Sequence, residues 1–152
     1  RTRESVLERR ELWDGELANM TSRINHLSSR IAELNIQIAG IEGGGLIQSD
    51  ATGLRDQRYR DLEELSGILD INVQEQTNGT VSVFVGGDYL VNSGNYREVY
   101  TAYSEKLKGT EVRIIETDSP VQAKEGVLVA TMKARDSVLV PLLIPSMRWR
   151  PG

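Results

Sequence analysis

No cysteine occurs among the 152 residues, and histidine occurs once, at His26. The first absence excludes a disulfide framework and any thiolate metal site. With a single histidine as well, the usual zinc arrangements are excluded too, and His26 reads as a helix-surface residue. No stretch is long and apolar enough to cross a bilayer as a helix, and residues 1–30 lack the apolar core of a secretory signal. Basic residues number 18 against 22 acidic, a formal charge of -4. No segment is basic, which argues against a nucleic-acid ligand. Gly43-Gly44-Gly45 is not followed by the Lys-Ser/Thr pair of a phosphate loop and reads as a turn.

What the chain does have is a seven-residue apolar beat. Leu17, Met20, Ile24, Leu27, Ile31, Leu34, Ile38 and Ile41 alternate steps of three and four, which places them on one stripe of a helix. Trp13 and Val6 extend the register backwards, with Arg10 as a polar interruption, so the helix is expected to begin near the first residue and run about 60 Å at 1.5 Å per residue. The strict period predicts packing against other helices, since a helix lying on a globular core shows a wider apolar band. On this register Leu27 and Ile31 lie in the seam and Ser28 and Ser29 flank it, where substitutions should be nearly silent. The seam from Val6 to Met20 is expected to remain open to a second copy.

Residues 42–49 should reverse the chain. A second helix is expected after Ser49 or Asp50, carrying Leu54, Arg58, Leu62, Leu65 and Leu69 at steps of four, four, three and four, antiparallel to the first. Asp56 with Arg60, and Arg60 with Glu64, stand four apart on its outer face. These pairs, with Asp61 and Glu63, read as a solvated surface and not as paired catalytic carboxylates.

Two-residue alternation then begins. Asn78-Gly79 predicts a type I′ hairpin with Val73 opposite Phe84 and Gln74 opposite Val83. Gly86-Gly87 predicts a second turn with Tyr89 opposite Phe84 and Leu90 opposite Val83, giving a three-stranded meander. Val81, Val83 and Val85 fall on the face away from Phe84, so both faces of the middle strand need cover. Further strands are expected near 96–103 and 111–117, and a helix over 126–136 with Leu128, Met132 and Leu139 on one face. The sequons at Asn19 and Asn78 sit in a helix and a tight turn and read as chance matches.

Five motifs in order carry a resemblance. Ile31-Ala32-Glu33-Leu34-Asn35-Ile36-Gln37-Ile38 precedes the glycine loop. Then come Leu54-Arg55-Asp56-Gln57-Arg58, Leu62-Glu63-Glu64-Leu65-Ser66 with Leu69-Asp70-Ile71, Asn78-Gly79-Thr80-Val81-Ser82-Val83, and Gly87-Asp88-Tyr89-Leu90-Val91, with Arg135-Asp136 as a later echo. In this order they resemble the flagellar hook-associated protein 1 family, the first junction protein between hook and filament. The resemblance implies a structural part of the bacterial flagellum, exported through the flagellar channel without a cleaved signal peptide, with no catalysis and no cofactor. Its implied partners are further copies of itself, the hook protein and the second junction protein, without nucleic-acid binding or membrane insertion. The motif residues are candidate packing positions; Asn35 and Gln37 are expected to flank the stripe and bond to a neighbouring helix or the next subunit.

The reading is an α+β chain: an antiparallel, coiled-coil-like helical hairpin over 1–69, a small antiparallel β-rich domain over 70–120, and a returning helical segment with an irregular tail over 121–152. Pro141 and Pro145 break any helix in that tail, where family members continue with a long helix, so either the protein diverges there or the chain is a fragment lacking the terminal polymerisation helices. The alternative of a different class is a coiled-coil oligomerisation or adaptor module whose β-rich unit captures a partner. An enzyme ranks third, for want of an acid, base or nucleophile constellation.

Overall fold

The computed structural model describes residues 2–43, 49–106, 109–123 and 125–134, with side chains described over 11–42 and, beyond that, from 51. Helix α1 (Thr2–Gly43) has 42 residues, about 63 Å at the standard rise. Helix α2 (Ser49–Ile68) has 20 residues and runs antiparallel to it. Arg55 of α2 bonds Glu42 near the turn, and Glu64, farther along α2, bonds Arg23. The turn expected over 42–49 is shorter than expected at its start, because Glu42 and Gly43 still belong to α1.

Along α1, Leu17, Ile24, Leu27, Ile31 and Ile38 are fully buried and Leu34 nearly so. Each such side chain stabilises the fold by about 1.5–3 kcal/mol relative to exposure. Met20 is half-buried against the same core, so the seam is closed from Leu17 onward and does not stay open as far as Met20. The side chains of Val6 and Arg10 lie outside the described residues.

The strict period pointed to helix packing alone, and here the structure differs. α1 also lies against both sheets, because a second stripe runs one position after the first. Thr21, Ser28, Ala32 and Asn35 are all buried, and Asn25 is half-buried beside them. Small side chains there let strands approach the helix closely, which widens the buried band. Ser28 is therefore a core position and not a silent flank.

Strands β1 (Asn72–Glu75), β2 (Val81–Val85), β3 (Asp88–Asn92) and β4 (Asn95–Tyr96) form one antiparallel sheet in sequential order, one strand more than the expected meander. Strands β5 (Val99–Ser104), β6 (Gly109–Ile114) and β7 (Ser119–Pro120) form a second. The first hairpin is one residue out from expectation: Val73 faces Val83 and Asn72 faces Phe84. Gln76 N donates to Thr80 O at 2.8 Å and Gly79 N to Gln76 O at 3.1 Å. The loop thus holds three residues, and only Gly79, at φ 90°, is left-handed. That is a type I turn closed by a glycine bulge, not a type I′ turn, and the extra residue moves the register.

In the second hairpin Tyr89 faces Phe84 and Val85 faces Asp88 across Gly86-Gly87, but Val91, not Leu90, faces Val83. The ladder shifts between Val83 and Phe84, so Leu90 is a bulge residue. The consequence is that adjacent residues Leu90 and Val91 are both fully buried, which strict alternation forbids. Val81, Val83 and Val85 are buried and Phe84 half-buried.

A third helix, α3, occupies 127–134, with Leu128 buried and Met132 packed on the core. Leu128 joins one continuous apolar cluster that includes Leu17 of α1, Leu65 of α2, Val83 of the first sheet and Val112 of the second. Leu139, Arg135, Asp136 and the tail from Ser137 lie outside the described residues.

Candidate functional site

The helices and the sheets are joined by side-chain amides. Asn35 is fully buried in the second stripe of α1. Its Nδ2 donates to Val81 O at 2.9 Å and to Ser93 O at 2.7 Å, while its Oδ1 accepts from Val81 N at 3.0 Å and from an Arg58 guanidinium N–H at 2.8 Å. All its hydrogen-bonding groups are used, which is what burial of an amide requires. Ten residues earlier, Asn25 makes the same reciprocal pair with Val99, donating to its carbonyl at 2.9 Å and accepting from its N–H at 2.8 Å. Each asparagine acts as a peptide unit toward a strand. Asn35 holds β2 and Asn25 holds β5, about 15 Å apart along the helix at the standard rise.

Arg58 closes the first junction. It is 4% exposed and also donates to Gly79 O at 2.7 Å, so it ties α2 to α1 and to the hairpin turn. Burial lowers its guanidinium pKa from the ordinary value, Arg55 adds to that, and Glu75 and Glu42 oppose it. An arginine remains charged through such a shift. Beside it, Arg55 donates through two nitrogens to Glu42, at 2.6 and 2.8 Å, and through a third to Glu75 at 3.0 Å. These bonds hold the Glu42 carboxyl below its usual range. Gly79 lies directly on Glu42: a Cβ there would stand 2.4 Å from a Glu42 carboxylate oxygen.

The outer face of α2 differs from expectation at two positions. Glu64 pairs with Arg23 of α1 and not with Arg60. Asp61 is 6% exposed, 3.2 Å from Arg30, and its Oδ2 accepts no hydrogen bond among the described residues. Burial pushes its carboxyl above the usual range, with Arg30 opposing. The antiparallel crossing turns Asp61 toward α1, which a helical wheel of α2 alone does not reveal.

Of the candidate packing positions, Leu17, Ile24, Leu27, Ile31, Leu34, Asn35, Ile38, Arg58, Leu65, Leu90 and Val91 are buried, as Gly79 is; Met20 and Leu62 are half-buried. Gln37, Asp56, Gln57 and Asn78 are exposed and belong to no packed interface among the described residues. Gln37 faces away because Asn35, two positions earlier, already takes the direction of the sheet. Asn78 instead serves the turn, its Oδ1 accepting from Thr80 N at 3.1 Å and Thr80 Oγ1 at 2.7 Å. Sequence reasoning missed Asn25, Arg55 and Glu42. The signal for Asn25 was present, as the steps of four and three through Thr21, Asn25, Ser28, Ala32 and Asn35. Chemically the arrangement positions strands; among the described residues no group of three or more His, Cys, Asp or Glu is placed to hold a metal ion.

Comparison with known proteins agrees with this architecture. The family model described as the flagellar hook-associated protein FlgK helical domain matches residues 2–143. The chain belongs to this family. A similar solved structure is that of the flagellar hook junction protein FlgK from Burkholderia pseudomallei, at 25% identity and a TM-score of 0.69, covering 87% of this chain. The match takes in 25% of that protein, so the chain spans about a quarter of its length. No curated protein matches. Within this family frame, the Asn35, Arg58 and Asn25 bonds are the local devices that fix the strands to the helices.

Proposed function

We propose that this chain is a structural part of a bacterial flagellar hook–filament junction protein and carries no catalytic activity. The observation that carries the reading is the FlgK helical-domain match over almost the whole chain. In this role α1 and α2 form the rod that packs in an axial assembly, and the sheets, pinned by Asn25 and Asn35, form a side unit over residues 70–120. Self-association is assigned first to the N-terminal part of α1. α2 is half as long as α1, and before Leu17 the helix carries Leu12, 69% exposed, and half-buried Trp13. Exposed apolar side chains on a helix beyond its partner favour a further helix. The partners are other copies, the hook protein and the second junction protein, reached by export through the flagellar channel without a cleaved signal.

The test is genetic. A strain lacking the gene should build hooks and no filaments, and filaments of normal length on that strain would remove the reading. Neighbouring genes for other flagellar axial proteins are the second expected observation. The adaptor alternative draws on the heptads alone and leaves the motifs over 54–91 unexplained.

A further inference from the structure

Among the described residues the four-stranded sheet has two unpaired edges, and they match. β1 is one edge strand and β4 the other. All four β1 side chains are exposed, Val73 among them at 40%. Edge strands are commonly guarded by charge, proline or a bulge; β1 has no proline, lysine or bulge, and its one charge, Glu75, is paired with Arg55 of α2. Because the sheet has an even number of antiparallel strands, β4 runs opposite to β1. A second copy set beside the first in the same orientation therefore continues an antiparallel ladder.

The side-chain faces also continue. Val73 faces Val83, Val83 faces Val91, and Val91 faces Tyr96, and antiparallel partners share a face. Tyr96, 39% exposed at the β4 edge, thus lies on the same face as Val73 at the β1 edge. On that face at β1 is a cleft of about 430 Å³ between α2 and the sheet, its helix wall bearing Tyr59 and Leu62 and its floor Val73 and Val81. Tyr59 is 66% exposed at its mouth. At the β4 edge the corresponding feature protrudes: Ile36 of α1, 59% exposed, stands beneath the β3–β4 turn, so close that a Cβ on Gly94 would come within 2.9 Å of it. A cleft lies at one edge and an apolar ridge at the other.

Charge at the cleft is mixed: Arg55 and Arg58 line it together with Asp56 and Glu75, and Arg55 pairs with Glu75. Arg58 is 4% exposed and donates to the oxygens of Asn35 and Gly79. Glu33, one turn before Ile36, and Glu98, two residues after Tyr96, are exposed and join no ion pair among the described residues. Asp56, at the cleft rim, is exposed to solvent. The widths agree as well: four strands at about 4.8 Å and two helices at about 8–10 Å both give a layer of roughly 20 Å.

We propose that copies of this chain associate head to tail, with β4 of one copy pairing along β1 of the next and Tyr96 entering the cleft beside Val73. The proposal rests on the junction-component reading and names one contact by which such a component repeats. A heterologous contact of this kind generates a ring or a filament, not a closed dimer.

The absence of cysteine makes the test clean. Val73→Cys and Tyr96→Cys chains, each first verified by circular dichroism to melt as the wild type does, are mixed and mildly oxidised. Opposed antiparallel residues lie about 4.5–5.5 Å apart between Cα atoms, within disulfide reach. The mixture should give a covalent dimer several-fold above either variant alone and above a Val73→Cys with Tyr103→Cys control, whose second site is exposed on the other sheet. The double variant Val73→Cys/Tyr96→Cys should give a ladder of oligomers. Equal dimer from Val73→Cys alone would mean a two-fold contact and overturn the proposal, as would a mixture no better than the control. Neither failure touches the gene-deletion test, so the two readings fall separately.

Discussion

Asn35 and Val81 exchange two hydrogen bonds, 2.9 Å from the amide to the strand carbonyl and 3.0 Å from the strand N–H to the amide. A helix side chain thereby takes the place of a neighbouring strand at the start of β2. Asn35→Ala should leave the Val81 N–H, the Val81 and Ser93 carbonyls and one Arg58 N–H without their partner. Each buried orphan costs about 1–3 kcal/mol, less where water enters, so a loss on the order of 4 kcal/mol is expected in chemical denaturation. Gln37→Ala, two residues away and exposed, should change stability by less than about 0.5 kcal/mol. Equal effects of the two substitutions would mean that the amide carries no load.

Gly79→Val should destabilise the hairpin for two independent reasons. Its φ of 90° is strained for a β-branched residue, and its Cβ would meet the Glu42 carboxylate at 2.4 Å. Strain alone costs about 1–3 kcal/mol, and displacing Glu42 also disturbs the Arg55 bonds. A melting temperature equal to that of the wild type would overturn this account. In the double variant Gly79→Val/Glu42→Ala the collision is gone and only the strain remains, so the second substitution should cost less there than in the wild-type background.

These positions also mark how far the sequence could be read. The heptad from Leu17 to Ile38 discloses α1 and one buried face, because apolar burial repeats with the helix. Asn35 was visible as a stripe neighbour, yet its partner is a strand 46 residues onward, and no local pattern announces a non-local hydrogen bond. Asn78-Gly79 signals a turn, but glycine serves a two-residue and a three-residue loop equally, so the expected register is one residue out. The bulge at Leu90 is silent in sequence because Leu-Val is apolar in either register. Asp61 looked solvated on the wheel of α2 and is buried by a helix that the wheel does not contain.

Asp61 supplies a pH test. Burial sets its folded-state pKa above the unfolded one, so the ionised carboxylate subtracts stability above the raised value and the penalty fades as pH falls through it. Asp61→Asn removes that ionisation, at the loss of a pairing with Arg30, whose side chain is 41% exposed and stays solvated. The variant should therefore be more stable than the wild type at pH 7, by on the order of 1 kcal/mol. The difference should shrink on acidification toward the ordinary aspartate value near 4. Glu42, whose pKa is held down by Arg55, loses stability on acidification in both proteins and so cancels from the difference; Glu64, held down by Arg23, also acts on Asp61, so the comparison is read with Glu64→Gln in both backgrounds. A variant less stable at pH 7, or a gap that widens as pH falls, would assign Asp61 a favourable ion pair instead.

Leu27 and Ser28 separate the two stripes of α1. Both are fully buried, yet they face different neighbours because adjacent helix positions differ by about 100°. Leu27→Asp places an unpaired charge in the apolar core and should cost several kcal/mol. Ser28 carries a hydroxyl with no hydrogen-bond partner among the described residues, a polar group already bearing its desolvation cost. Ser28→Ala removes that oxygen and leaves a space no larger than it occupied, so stability should rise by about 0.5–1 kcal/mol. Ser28→Leu should cost about 1–3 kcal/mol, since the close approach of the strands leaves no room for the larger side chain. Ser29→Ala, half-buried on the next face, should be near neutral. If Ser28→Ala destabilised by more than 1 kcal/mol while Ser28→Leu was tolerated, the sheets would not rest on this stripe, and the amide bonds of Asn25 and Asn35 would be their only attachment to α1.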